Sequence, residues 1–147
     1  MKILTIHGPN LNLLGRREPE IYGAKNLEMI NLDIARRGQE LEQATVCRQS
    51  NHEGEIIDWL QSAEEEGFSG IIINPAAFTH TSVAIRDAIA AIKLPVIEVH
   101  LSNISAREEF RQKSLTAAVC RGSISGFGAT SYLVALETFK LLSDPAA

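Results

Sequence analysis

The sequence predicts an α/β fold: a three-layer, doubly wound, five-stranded parallel sheet, with flavodoxin-like strand order taken by analogy. Three observations predict it. Short apolar runs that stop abruptly alternate with stretches of helical periodicity along the whole chain, the pattern of repeated βα units. The segment Gly70–Pro75 (GIIINP) carries consecutive β-branched residues, as expected of a parallel strand buried on both faces. The chain has 147 residues, 45% of them hydrophobic and 22% charged, which suits one globular domain, 1–147, with its own core.

Taken in order, Ile3 to Ile6 is a buried strand stopped by His7-Gly8-Pro9. Gly8 to Gly23 (GPNLNLLGRREPEIYG) follows, much longer than the roughly 2–6 residues that usually join strand to helix. Its length, its glycines and its arginines mark it as a lid over a small anion, the mobile part spanning about residues 15–25. Asn26 caps a helix whose stripe is Leu27, Ile30, Ile34 and Leu41, with Gly38 a weak point. Ala44–Gln49 is the second strand. Ile56, Ile57, Leu60 and Ala63 outline the second helix, closed by Glu64-Glu65-Glu66-Gly67, read as a solvated end. After the third strand, Ala76–Thr81 is a polar loop into a third helix bearing Ile85, Ala88, Ile89 and Ile92. Pro95 to Val99 is the fourth strand. Ser105-Ala106-Arg107-Glu108 fits a capping box that starts a short helix. Val119 to Ser125 is a fifth strand at an edge, and Tyr132, Leu133, Leu136, Phe139, Lys140 and Leu142 outline the last helix.

Composition excludes several classes. A net charge of −4 argues against nucleic-acid binding, which calls for a basic patch. No apolar run reaches the roughly 20 residues of a membrane span, and the start turns polar too early for a secretion signal. Cys47 and Cys120 match no metal or redox spacing and read as free thiols of a cytoplasmic protein. His7, His52, His80 and His100 lack the spacing of metal sites, which places metal binding below the other readings. Gly126-Phe127-Gly128 is too short and too late for a dinucleotide fingerprint.

In doubly wound folds ligands bind outside the carboxyl ends of the strands. Those ends carry His7 to Asn10, Ser50 to Glu53, Asn74, Glu98 with His100 and Ser102, and Ser125, and all four histidines lie at or after them. Glu98 and His100 alternate along a strand and so share a face; a carboxylate beside an imidazole sets its tautomer and favours the protonated ring, which suits a general acid. The competing reading is a hydrogen-bonded structural histidine, against which stand the neighbouring Ser102 and the strand-end position. Arg107 and Arg111, spaced i and i+4, share one face of the short helix. Two readings stay open for them, a clamp on a ligand and pairing with Glu108 or Glu109. Thr79-His80-Thr81-Ser82 fits both helix capping and a polar ligand site. Tyr22 is a poor base at an ordinary phenol pKa near 10. Positive charge nearby lowers such a value by roughly 1–3 units, and Arg16 and Arg17 share its loop; the competing role for Tyr22 is a packing anchor.

Together, GPNLNLLGRREPEIYG, NPAAFTHTSVAIRDA and EVHLSNISAREEFR resemble the type II 3-dehydroquinate dehydratases, over essentially the whole chain. The resemblance implies a flavodoxin-like cytoplasmic enzyme of the shikimate pathway, assembled as a dodecamer of four trimers. It implies dehydration of 3-dehydroquinate to 3-dehydroshikimate by anti elimination through an enolate, without cofactor or metal. By motif position, it makes Tyr22 the proton acceptor, Arg17 the group that lowers the Tyr22 pKa, Asn10 a holder of the enolate-stabilising water and His100 the proton donor. Asn74 with the Leu101 and Ser102 backbone would bind the substrate carboxylate, and His80 and Arg111 the ring hydroxyls, with Glu98 and Arg107 supporting. Asp87 would reach a neighbouring subunit's site. Phe78 and Ala76-Ala77 depart from the usual tyrosine and glycine. None of the five lysines (Lys2, Lys25, Lys93, Lys113, Lys140) falls at a predicted strand end, which disfavours a Schiff base. The competing classes are a non-catalytic flavin- or nucleotide-binding module, disfavoured by 5% aromatics and no phosphate loop, and a phospho-receiver, which needs acidic residues after the first strand.

Overall fold

A computed structural model of the chain describes residues 1–16, 18–22 and 24–144, the side chains of Pro19 and Tyr22 excepted. Five parallel strands, β1 (Lys2–His7), β2 (Ala44–Gln49), β3 (Gly70–Asn74), β4 (Val96–His100) and β5 (Gly122–Ser125), pair in the order β2-β1-β3-β4-β5. This is the flavodoxin-like order. The helices are α1 (Pro19–Tyr22), α2 (Leu27–Glu40), α3 (Glu53–Ser62), α4 (Val83–Ala91), α5 (Glu109–Gln112) and α6 (Thr130–Ser143).

Strand alternation divides the core in two. Ile3, Ile72, Ile97 and Val99 join Ile30 and Ile34 of α2 and Tyr132, Leu136 and Phe139 of α6 on one face. Leu4, Ile6, Ile71, Ile73 and Val96 join Ile56 and Leu60 of α3 and Ile85 and Ile89 of α4 on the other. Each such fully buried aliphatic side chain contributes roughly 1.5–3 kcal/mol relative to exposure, so the sheet is held from both sides.

Several local expectations change. Gly38 is not a weak point: it is buried in α2, where a Cβ would lie 2.5 Å from Thr45 Cγ2 and 2.9 Å from the Gln43 carbonyl. Its missing side chain lets α2 press onto β2. The capping box is not made. Asn103 accepts from the Ser105 N–H and caps a 3-10 turn at Ile104–Ala106; Arg107 ends that turn with extended backbone, and α5 begins only at Glu109, after Glu108, whose side chain makes no capping bond. The fifth strand starts at Gly122, after a further 3-10 turn at Ala117–Val119. Glu66 in the acidic run is more than a solvated end, since Arg48 of β2 pairs with it at 2.5 Å. Leu142 is half exposed; the buried stripe of α6 is Tyr132, Ala135, Leu136 and Phe139.

The strand order reverses between β1 and β3, and there the two segments leaving the sheet touch. Gly8 N–H donates to the Asn74 carbonyl at 2.8 Å, and a Cβ on Gly8 would lie 2.6 Å from the Pro75 carbonyl oxygen. A side chain at Gly8 would force the two loops apart where a doubly wound fold opens its ligand crevice.

Candidate active site

A cavity of about 730 Å³, counting its open mouth, lies at that crevice. Its wall includes Asn10, Asn74, His80, His100, Leu101, Ser102, Arg107 and Arg111. Eight sequence-predicted site residues, drawn from segments far apart in the chain, meet in one volume suited to a small molecule.

His100 closes β4 and is nearly fully buried. Its Nε2 lies 2.6 Å from Glu98 Oε1, so Nδ1 is the nitrogen left to the cavity. Glu98 has no exposed surface, and a lone carboxylate there would be costly. Ser114 Oγ donates to its Oε1 at 2.8 Å, and the Thr116 hydroxyl donates to Oε2. Burial alone would push the Glu98 carboxyl up, but the hydrogen bonds from His100 and Thr116, the His100 charge and the Ser114 hydroxyl bring it below its ordinary value. The result is a fixed anion that orients the imidazole.

Asn74, buried at the end of β3, accepts the Ala76 N–H on Oδ1 at 3.1 Å and donates from Nδ2 to the Tyr132 hydroxyl at 3.1 Å. Ala76 takes a left-handed backbone, φ 52°, which turns the chain sharply past the cavity. His80 Nδ1 donates to the Lys113 carbonyl at 2.8 Å; Nε2 is then the acceptor left over. Arg107 donates to Ser102 Oγ at 3.2 Å, and Arg111 Nε to Glu108 at 2.5 Å. The two arginines do not share a helix, yet both reach the cavity. Arg111 pairs with Glu108 and still borders the cavity, so that pairing does not take it out of reach of a ligand. Asn10, left-handed at φ 67°, donates its backbone N–H to Asn51 Oδ1 at 2.9 Å. None of the lysines lines this cavity, although Lys25 borders the hollow next to it.

Other expectations fall elsewhere. Asp87 is exposed on α4 and is not part of the cavity wall of a single chain. His52 is exposed and does not line the cavity. His7 does not face the ligand edge: it is fully buried, with Nδ1 2.9 Å from the Tyr132 hydroxyl and Nε2 2.9 Å from Asn31 Oδ1. Burial lowers its pKa to about 4 despite the Asn31 bond, and burial pushes the Tyr132 phenol up. Arg17 and Gly23 lie outside the described residues, as does the Tyr22 side chain. The first part of the long loop is anchored, with Leu11 and Leu14 in the core. Ile21 of α1 borders the neighbouring hollow together with Leu101, Ser102 and Arg107, which also line the cavity.

Sequence reasoning missed Ser114, Thr116, Tyr132 and Asn31. A glutamate inside an apolar strand signals that donors must exist; their positions depend on how the loop after α5 folds back.

An imidazole braced by a buried carboxylate at the edge of a flavodoxin-like α/β sheet is an arrangement suited to acid–base chemistry. The model of the family described as dehydroquinase class II matches residues 1–140. The chain is 56% identical over 135 residues to a 3-dehydroquinate dehydratase of Deinococcus radiodurans, covering 92% of this chain and 94% of that protein. It is 56% identical over 143 residues to one of Thermoanaerobacter pseudethanolicus, with 97% and 96% covered. The crystal structure of a type II dehydroquinase from Butyrivibrio crossotus superposes with a TM-score of 0.92 at 50% identity, covering 94% of this chain and 96% of that one. The chain belongs to the class II dehydroquinase family.

Proposed function

We propose that the chain dehydrates 3-dehydroquinate to 3-dehydroshikimate, by anti elimination through an enolate and without a Schiff base. The observation that carries this reading is the convergence of His100, braced from behind by Glu98, with Asn74, His80, Ser102, Arg107 and Arg111 around one cavity, in a chain of this family.

Tyr22, as phenolate, takes the proton beside the substrate ketone, and Arg17 on the same segment favours that charged form. The electron pair moves onto the ketone oxygen, where a water held by Asn10 stabilises the enolate. The enolate then re-forms the ketone as the C–O bond to the β-hydroxyl breaks, and His100 delivers the proton from Nδ1 that lets the hydroxyl leave as water. Its Nε2 stays on Glu98 throughout, so the ring does not turn during transfer. Asn74 and the Leu101 and Ser102 backbone hold the carboxylate; His80 and Arg111 hold ring hydroxyls, with Arg107 placing Ser102. The absence of lysine from the cavity wall supports an enolate over an imine route. Closure of residues 15–25 brings Arg17 and Tyr22 to the substrate. Exposed Asp87 on α4 serves a neighbouring site in a cytoplasmic assembly of twelve subunits, which light scattering checks.

The test is direct. Purified, assembled protein is mixed with 3-dehydroquinate and the conjugated product is followed by ultraviolet absorbance. Turnover is expected; its absence from folded protein rejects the reading.

A further inference from the structure

A chain of buried hydrogen bonds runs from the cavity wall to α2, through Asn74, Tyr132, His7 and Asn31. Tyr132 and His7 have no exposed surface, and Asn74 almost none. Neither Tyr132 nor His7 lines the cavity, so the proposed chemistry uses neither directly.

The direction of every proton in this chain follows from one fixed end. Asn74 Oδ1 accepts from the Ala76 backbone N–H, which has no other role to offer than donor. The Asn74 NH₂ therefore faces Tyr132 and donates to the phenol oxygen. The phenol has a single proton, and the remaining partner is His7 Nδ1, which must be bare to accept it. A neutral imidazole with bare Nδ1 carries its hydrogen on Nε2 and donates to Asn31 Oδ1. All four groups are satisfied in this one polarity. Burial that keeps His7 neutral agrees with it. The opposite imidazole tautomer would donate to the phenol, turn the phenol proton toward Asn74 and favour an amide turned end for end. That amide would set NH₂ against the Ala76 N–H, donor on donor.

We infer that Tyr132 and His7 are positioning residues: with Asn31 they lock the Asn74 amide in one of its two orientations, leaving its second N–H directed at an anionic group of the ligand. This rests on the proposed role of Asn74 in holding the substrate carboxylate. Among the described residues, that second hydrogen has no acceptor. An N–H aimed at a carboxylate gives a charge-assisted bond, whereas the carbonyl of a turned amide would repel it. The ring contact between His7 and Tyr132, 5.1 Å between centroids at 65°, holds the phenol in line.

Three variants and one structure test it. The carboxylate is not itself transformed, so a contact to it is made equally in ground and transition states and its loss raises KM rather than lowering kcat. Tyr132→Phe keeps the ring and removes the relay; KM is expected to rise about tenfold or more, with kcat changed far less. His7→Leu is expected to do the same. His7→Asn places an amide oxygen where Nδ1 accepts, so KM should return to within about twofold of the unchanged protein. A merely structural role would lower the urea midpoint of Tyr132→Phe and leave KM alone, and that result overturns the inference. Neutron diffraction from the deuterated protein reads the relay without reference to turnover. Deuterium on His7 Nε2 and not Nδ1, with the Tyr132 hydroxyl directed at Nδ1, supports the inference; deuterium on Nδ1 overturns it. If the unchanged protein does not act on 3-dehydroquinate, the proposed function fails and the neutron result alone decides the relay.

Discussion

Lowering the pH should destabilise this protein through His7 before its carboxylates are titrated. His7 is fully buried, its hydrogen-bond partners are the neutral Tyr132 and Asn31, and its pKa falls from 6.5 to about 4. Folding therefore holds it neutral where the unfolded chain would take a proton. Between those two values the unfolded state binds more protons, and stability falls as pH falls. At 1.36 kcal/mol per pKa unit, the loss is about 2 kcal/mol by pH 5 and levels off at roughly 3 kcal/mol below pH 4. Full stability from this source is present above about pH 6.5. The assay is urea unfolding at fixed protein concentration between pH 7.5 and 5, on the unchanged protein and on His7→Asn. Asparagine does not titrate, so the difference between the two isolates His7 from the other histidines. A difference that stays flat across this range would refute the lowered pKa of the buried imidazole.

Other outcomes are expected at the site and in the core. Tyr22→Phe should fold normally by circular dichroism and lose about 10²–10⁴-fold in kcat, as when a general base is removed; near-normal turnover would take Tyr22 out of the reaction. Glu98→Gln exchanges one acceptor oxygen of a fully buried carboxylate for an amide donor. It should cost roughly 1–3 kcal/mol in urea unfolding at neutral pH, with a large fall in kcat as His100 loses its anion. Because the Glu98 pKa is lowered on folding, its contribution is present above the ordinary carboxylate value and lost as pH falls through the depressed one, so the deficit of the variant should shrink at low pH. Gly38→Ala improves helix propensity by up to about 1 kcal/mol, yet its methyl would meet Thr45 and Gln43 and should destabilise by a net ~1 kcal/mol or more, read from the thermal midpoint.

How much of this was legible from the chain alone differs between elements for physical reasons. Strand β3 is legible nearly at its observed bounds because a parallel strand buried on both faces must be a short continuous apolar run; β2, an edge strand of mixed polarity with no fully buried residue, lies at its expected bounds without that signal. The start of α2 was legible because Asn26 supplies its own local signal, accepting from the Met29 N–H. Gly38 was misread because propensity describes an isolated helix, while the neighbour that excludes a side chain, Thr45, belongs to another element. The capping box failed for a related reason: Asn103 captured the backbone first and wound a 3-10 turn, leaving α5 to begin beyond it.

By itself the sequence determined the α/β alternation, the strand-end placement of the polar residues and the Glu98–His100 pairing, because period-2 alternation sends both side chains to one face. It also carried motifs specific enough to indicate the family. Only the tertiary structure decided that β1 and β3 adjoin at the reversal of strand order, since chain distance carries no record of which strands pair. Only there do Asn10, Asn74, His80, Ser102 and Arg111 share a wall. The tertiary structure also decided the fate of His7. A histidine after an apolar strand faces ligand or core according to what packs beside it, and here Tyr132 and Asn31, brought in by α6 and α2, took both ring nitrogens.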